Sequence, residues 1–342
     1  LFKLYMENFE EKIEEINKVE KTEEQKPSVK NLIFLILKIL GTLFVFLILA
    51  FVIPKPNFKG DTTILINNGD GVKSTGDKLY NAGIIWSSTL FDLETIIFGK
   101  NKIIAGPYRF GTVENIIGAS IRLTNGYFGI QKIKVTLPEG FTSTDITNRL
   151  SGLIPNFNKD LFLTQAQPLE GYLFPNTYFF LPGMTEADIV DKLNKTFKEK
   201  NPKLLILDKE TQSKIVILAS IIEKETQKTE DRNIVAEIFI KRLNAGMPLQ
   251  SDATIAYILG ENSNDVTAND LKRDSPYNSY LNKGLPPTPI CNPGLDAINA
   301  SYNAIINPQG TDYLFFLTDK AGNVHYAKTF AEHKANVVKY LK

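Results

Sequence analysis

The chain is poor in the residues that most often build metal and redox centres. It holds one cysteine, Cys291, so an internal disulfide is excluded and thiol content does not fix the compartment. Its two histidines, His325 and His333, with that lone thiol are too few for a structural zinc centre. No metal and no cofactor are expected. A net charge of +1 lacks the basic excess of a nucleic-acid binder, so nucleic acid is not expected as a partner. Neither a phosphate-cradling P-loop nor a Gly-x-Gly-x-x-Gly turn is present. What remains is ordinary for folded protein: 342 residues, 43% hydrophobic and 23% charged, with room for two domains and a sizeable core.

One long apolar run breaks that ordinary pattern. Residues 1–30 are polar and rich in Glu and Lys, and Glu10–Lys26 suits either a solvated helix or disordered chain. The chain opens on Leu rather than Met, with Met6 a candidate start. Residues 31–54 are then almost wholly apolar, broken only by Lys38, and long enough to span a bilayer as a helix. A lysine one-third of the way in can snorkel to the interface, and Pro54 and Pro56 stop the helix. Lysines flank both ends (Lys18, Lys21, Lys26 and Lys30 before, Lys55 and Lys59 after), so the positive-inside signal is weak. Because most of the chain follows the span, residues 1–30 are assigned to a cytoplasmic tail. The remainder is assigned to the outer side of a bacterial cytoplasmic membrane.

Beyond the span the patterning is α+β. Residues 58–130 form a small module. Strand Thr62–Ile66, the turn Asn67–Gly71, helices Val72–Ala82 and Ser87–Phe98, strand Lys102–Phe110 and helix Thr112–Thr124 follow in order. Residues 131–342 make a larger α+β domain. It opens on the alternating strand Gln131–Leu137 and closes with a hairpin around Tyr313–Thr318 and His325–Tyr326 and a helix over Thr329–Tyr340.

Within it, Ile215–Thr226 is an apolar helix that ends on acid, with Glu223 beside Ser220 and a greasy stripe. A carboxyl so placed loses solvation and can hold a proton near neutral pH, which suits a catalytic acid. The same pattern also fits a solvated acidic surface of Glu223, Lys224 and Glu225, and helical spacing does not exclude Glu225 as the acid. Leu169–Leu181 is crowded with aromatics; it reads equally as a sugar-stacking surface or a core strand pair. Cys291 in a Pro-rich loop has no base beside it in sequence and reads as a structural thiol.

Several stretches together resemble one family, the membrane-anchored endolytic murein transglycosylases (YceG-like proteins). They are Leu169–Tyr178, Leu218–Thr226, Val235–Leu243 with Gly246 and Met247, Leu249–Tyr257, Asp274–Tyr280, Gly284–Pro287, Pro289–Gly294 and Tyr326–His333, in the family's order. Asn176 stands where aspartate is common in the family, and Ile222 is a conservative variant. The resemblance implies that Glu223 is the catalytic acid/base and Glu225 a brace for the next loop. It also implies that the small module is LysM-like. Glu170, Tyr172, Asn176, Tyr178, Ser220, Gln250, Ser251, Asp252, Asn278 and Tyr280 are assigned to substrate contact. The implied substrate is the peptidoglycan glycan strand, cut at its MurNAc–GlcNAc β-1,4 bond to leave 1,6-anhydro ends and so stop elongation; peptidoglycan synthases are implied partners. A non-catalytic peptidoglycan-binding scaffold and a hydrolase leaving reducing ends are the competing readings.

Overall fold

A computed structural model describes residues 2–20, 29–55, 58, 60–98, 102–112, 114–226, 228–261 and 265–341. The part of Glu10–Lys26 beyond residue 20, Pro56 and Lys59 lie outside those residues. Two compact units emerge, Leu1–Ile130 and Gln131–Lys342.

The first unit opens with helix α1 (Phe2–Glu20) and helix α2 (Val29–Val52). At 24 residues α2 extends about 36 Å, more than the ~30 Å of a bilayer's hydrocarbon core. None of its side chains is buried, so its apolar surface is left for another solvent. It is the one helix among the described residues long and apolar enough to cross a membrane. A β-α-α-β run follows: β1 (Thr62–Ile66), α3 (Val72–Asn81), α4 (Ser88–Ile97) and β2 (Gly106–Phe110), then α5 (Ile116–Asn125). The strands pair antiparallel, Thr62 opposite Phe110 and Ile66 opposite Gly106. Leu79, Phe91, Tyr108 and Phe110 fill the core beneath them. Two expected elements start late. The strand expected from Lys102 begins at Gly106, because Ile104 gives its N–H to Leu123 rather than to a strand partner. The helix expected from Thr112 begins at Ile116, where the Asn115 side chain caps the Gly118 N–H at 2.7 Å.

The second unit has two layers of packing. In one, β3 (Ile133–Thr136) pairs antiparallel with β4 (Thr177–Phe180), and α6 (Ser143–Ser151), α7 (Lys159–Ala166) and α8 (Glu186–Lys200) cover the pair. In the other, α9 (Lys209–Glu225) packs against α10 (Thr229–Asn244), α11 (Asp252–Leu259) and α12 (Leu295–Ile306). Every residue from Ile215 to Ile222 is buried, so α9 is a core helix covered on all sides rather than a striped surface helix. A hairpin of β5 (Phe315–Thr318) and β6 (Val324–Ala327) and helix α13 (Phe330–Tyr340) complete the unit. Of the aromatic stretch Leu169–Leu181, Thr177–Phe180 forms a strand and Tyr178 and Phe180 are core.

Candidate active site

A cleft of about 1300 Å³ opens in the second unit. Its walls are the first turn of α6 (Thr142–Asp145), Glu170, the end of α9 (Glu223–Thr226), Ala256 and Tyr257 of α11, and the β5–β6 turn (Thr318–Gly322). The last three residues of α9 and Thr226 after it reach one cavity because the helix stops there. Thr226 leaves in extended conformation (φ −142°, ψ 148°), so the cleft meets the helix end-on rather than from one side.

The two glutamates of that end are held differently. One Glu223 oxygen accepts from Arg232 at 2.7 Å and the other from the Gly294 N–H at 2.9 Å. The Glu223 and Arg232 side chains are 6% and 7% exposed, so this is a buried ion pair. Burial pushes the Glu223 carboxyl up to about 7, against the Gly294 N–H and the Arg232 charge. Glu225 accepts a short hydrogen bond from the Ser251 hydroxyl on one oxygen. Burial pushes its carboxyl up to about 7 as well; Ser251 opposes this, Asp252 adds to it, and the Arg242 charge opposes it. The two donors on Glu223 both favour its anion. Glu225 lacks an ion pair among the described residues.

Ser251 is placed by its own network. It immediately precedes α11, its N–H donates to Ser279 Oγ at 3.0 Å, and Thr254 Oγ1 lies 2.7 Å from its carbonyl and 2.9 Å from Ser279 Oγ. Gln250 just before it sits in the left-handed region (φ 55°), a conformation disfavoured for a side chain of this type. Glu170 is the third carboxyl of the cleft. It accepts from the Ser143 N–H at 2.9 and 3.1 Å and from Asn292 Nδ2 at 2.8 Å. Burial raises it to about 7, against the hydrogen bonds from Ser143. Asn292 is the hub here: Oδ1 accepts from the Gly171 and Leu173 N–H groups, both at 2.9 Å, while Nδ2 also donates to Phe141.

These stretches of sequence also carry the likeness to known proteins. Residues 64–339 match the YceG-like family. The chain belongs to that family. It is 31% identical over 316 residues to the endolytic murein transglycosylase of Bacillus subtilis, covering 82% of this chain and 85% of the relative. It is 30% identical over 338 residues to the endolytic murein transglycosylase of Streptococcus pneumoniae serotype 2, but spans 59% of that longer protein. The crystal structure of a putative YceG-like protein from Listeria monocytogenes aligns with a TM-score of 0.53 at 29% identity, over 80% of this chain and 98% of that one.

Within this YceG-like domain, Glu223 and Glu170 line the cleft and Ser251 reaches it through Glu225. Asp252 and Tyr280 bond each other at 2.5 Å beside that group. The rest are placed elsewhere. Tyr178 is 3% exposed and gives its hydroxyl to the Phe174 carbonyl at 2.6 Å, inside the core rather than on the cleft. Ser220 is buried, accepting from the Ile290 N–H at 3.0 Å and donating to Ile217, so it anchors a loop instead. Asn278 is buried and ties its turn together through Leu271 and Arg273. Tyr172 packs edge-on against Phe197, and exposed Asn176 accepts from the adjacent Thr177 N–H. Gln250 contributes its backbone, bonded to Ser279.

Sequence reasoning missed Arg232, Arg242 and Asn292, and Glu225, expected as a brace for the next loop, lines the cleft. Cys291 is fully buried beside the Ser220 carbonyl, and burial drives its thiol well above the usual range.

Proposed function

We propose that the chain is a membrane-anchored lytic transglycosylase that cuts peptidoglycan glycan strands endolytically, with Glu225 rather than Glu223 as its acid. One observation carries the choice of residue. Glu223 has both oxygens committed to donors, whereas Glu225 has one oxygen on Ser251 and lacks an ion pair among the described residues. A general acid must carry its proton into the encounter with substrate, and both Glu223 oxygens already accept from donors that favour the anion, in opposition to the burial that raises its carboxyl.

The chemistry then runs on one group. Protonated Glu225 gives its proton to the glycosidic oxygen between MurNAc and GlcNAc. The C1–O bond breaks and its electron pair stays on the leaving oxygen. The cationic C1 is captured within the same sugar, by the N-acetyl group or directly by the C6 hydroxyl. As the C1–O6 bond closes, the C6 hydroxyl proton passes to the Glu225 carboxylate, restoring the acid and leaving a 1,6-anhydro end. Tethering the attacking hydroxyl removes most of the entropic cost of a second reactant. The Ser251 hydroxyl and the Arg242 charge stabilise Glu225 while it is ionised. A hydrolase of the inverting type would need a second carboxylate free to activate water. Glu170 and Glu223 are each tied to N–H donors, which favours the transglycosylase.

Helix α2 anchors the enzyme by a single span, with the cleft on the outer side. The β-α-α-β order of residues 62–110 supports a LysM-like module that holds peptidoglycan near the membrane. New ends made there would stop strand growth, beside the synthases that supply it. Digestion of isolated glycan strands with mass analysis of the fragments is the test. Anhydro-muramyl ends that persist in Glu223→Gln and vanish in Glu225→Gln are expected. Reducing ends would instead establish a hydrolase, and binding without cleavage a scaffold.

A further inference from the structure

The end of α2 is gripped by the small unit that follows it. The Trp86 indole N–H donates to the Ile53 carbonyl at 3.1 Å, one residue past the helix. Asn115 Nδ2 donates to the Val52 carbonyl at 2.9 Å, and the Phe51 ring packs against the unit's core. Lys55 Nζ lies 5.6 Å from the centre of the Tyr80 ring. The unit is therefore seated directly on the last turn of the membrane helix, without a spacer. Yet Trp86 and Tyr80 remain 44% and 48% exposed.

We propose that Trp86, Tyr80 and Lys55 form a collar that rests in the headgroup layer of the membrane and seats the small unit flat on the bilayer. The deduction is geometric and rests on reading α2 as the span. If α2 crosses the hydrocarbon core, its terminal carbonyls lie at the outer boundary, and a side chain bonded to one of them lies there too. Indole, phenol and lysine side chains are the groups that favour this layer, apolar body inward and polar tip toward water. The occupant of the exposed aromatic faces is thus lipid at the glycerol and headgroup level. The consequence is a fixed height for the unit, set by protein contacts to the helix.

Trp86 is the only tryptophan in the chain, so its fluorescence reports this contact alone. The full chain is reconstituted in phosphatidylcholine vesicles whose acyl chains carry bromine either near the headgroup or near the chain end. Shallow bromine should quench Trp86 emission about twofold and deep bromine less, as for an interfacial ring. A Tyr80→Trp, Trp86→Phe variant moves the reporter across the collar and should give the same order. Emission indifferent to both lipids overturns the proposal, and so does stronger quenching by deep bromine. Blue-shifted emission without quenching would mean protein covers the ring, which overturns it as well. Strand cleavage is measured separately, so a failed collar leaves the assignment of the enzyme standing.

Discussion

Replacing the two glutamates at the end of α9 one at a time should give opposite results in rate and stability. Glu225→Gln keeps the shape of the side chain and its bond to Ser251 but has no acidic proton. General acid catalysis contributes ~10²–10⁴-fold, so kcat should fall about 10³-fold, or ~4 kcal/mol of activation free energy. The variant should melt no lower than the parent, since a neutral amide replaces a carboxyl that burial already disfavours as an anion. Glu223→Gln acts on the other axis. Its amide can accept from Arg232 or from Gly294 but not both, and the buried Arg232 loses its counter-charge. Breaking a buried pair from one side costs ~3–5 kcal/mol, which for a domain of this size lowers the melting temperature by roughly 10 °C. Below that transition its kcat should stay within about tenfold of the parent, because only placement of Glu225 is disturbed. Fragment release from glycan strands, with melting curves on the same preparations, reads both effects. A thermally unaltered Glu223→Gln that is as inert as Glu225→Gln, or an active Glu225→Gln, would refute the assignment.

Four further outcomes follow from the same geometry. Glu170, Glu223 and Glu225 are each raised to about 7, so between about 4.5 and 7 the folded state binds more protons than the unfolded chain, and melting temperature should fall as pH rises through that window. Cleavage should decline as pH climbs past about 7, where Glu225 loses its proton. Ser251→Ala removes the donor that favours the Glu225 anion, so the alkaline limb of the rate profile should move upward and kcat fall about tenfold, read from initial rates across pH. Asn292→Ala strands the Gly171 and Leu173 N–H groups and one partner of Glu170, and at ~1–3 kcal/mol for each unsatisfied group it should lower the melting temperature by about 10 °C or more.

Much of the architecture is legible because local rules and burial agree. Strand Thr62–Ile66 is a short β-branched, apolar run closed by the turn signal Asn67–Gly71 and is found where that pattern puts it, and α8 begins at a Thr185–Asp188 capping box. The cleft was harder to read, for a specific reason. Helical periodicity assigns Glu223 and Glu225 to different faces, which holds only while the helix continues. At its final turn both faces open on the same space, and the facing walls come from residues distant in sequence, such as Glu170 and Tyr257. Arg232 did leave a signal. It sits in the opening turns of α10, where the helix dipole repels a cation, so a buried arginine there demands an anion from elsewhere in the fold. Asn292 left none, since a hub that ties its own loop to two separate segments, Phe141 and Glu170–Leu173, has no local pattern.

The burial of Cys291 has a practical consequence. Its sulfur lies against the Ser220 carbonyl with no surface exposed, and burial holds it as the unreactive thiol. Maleimide dyes or spin labels should therefore pass it by in the native protein. A single cysteine introduced on the rim of the cleft, or beside Tyr80, would take such a label selectively without the natural thiol first being removed.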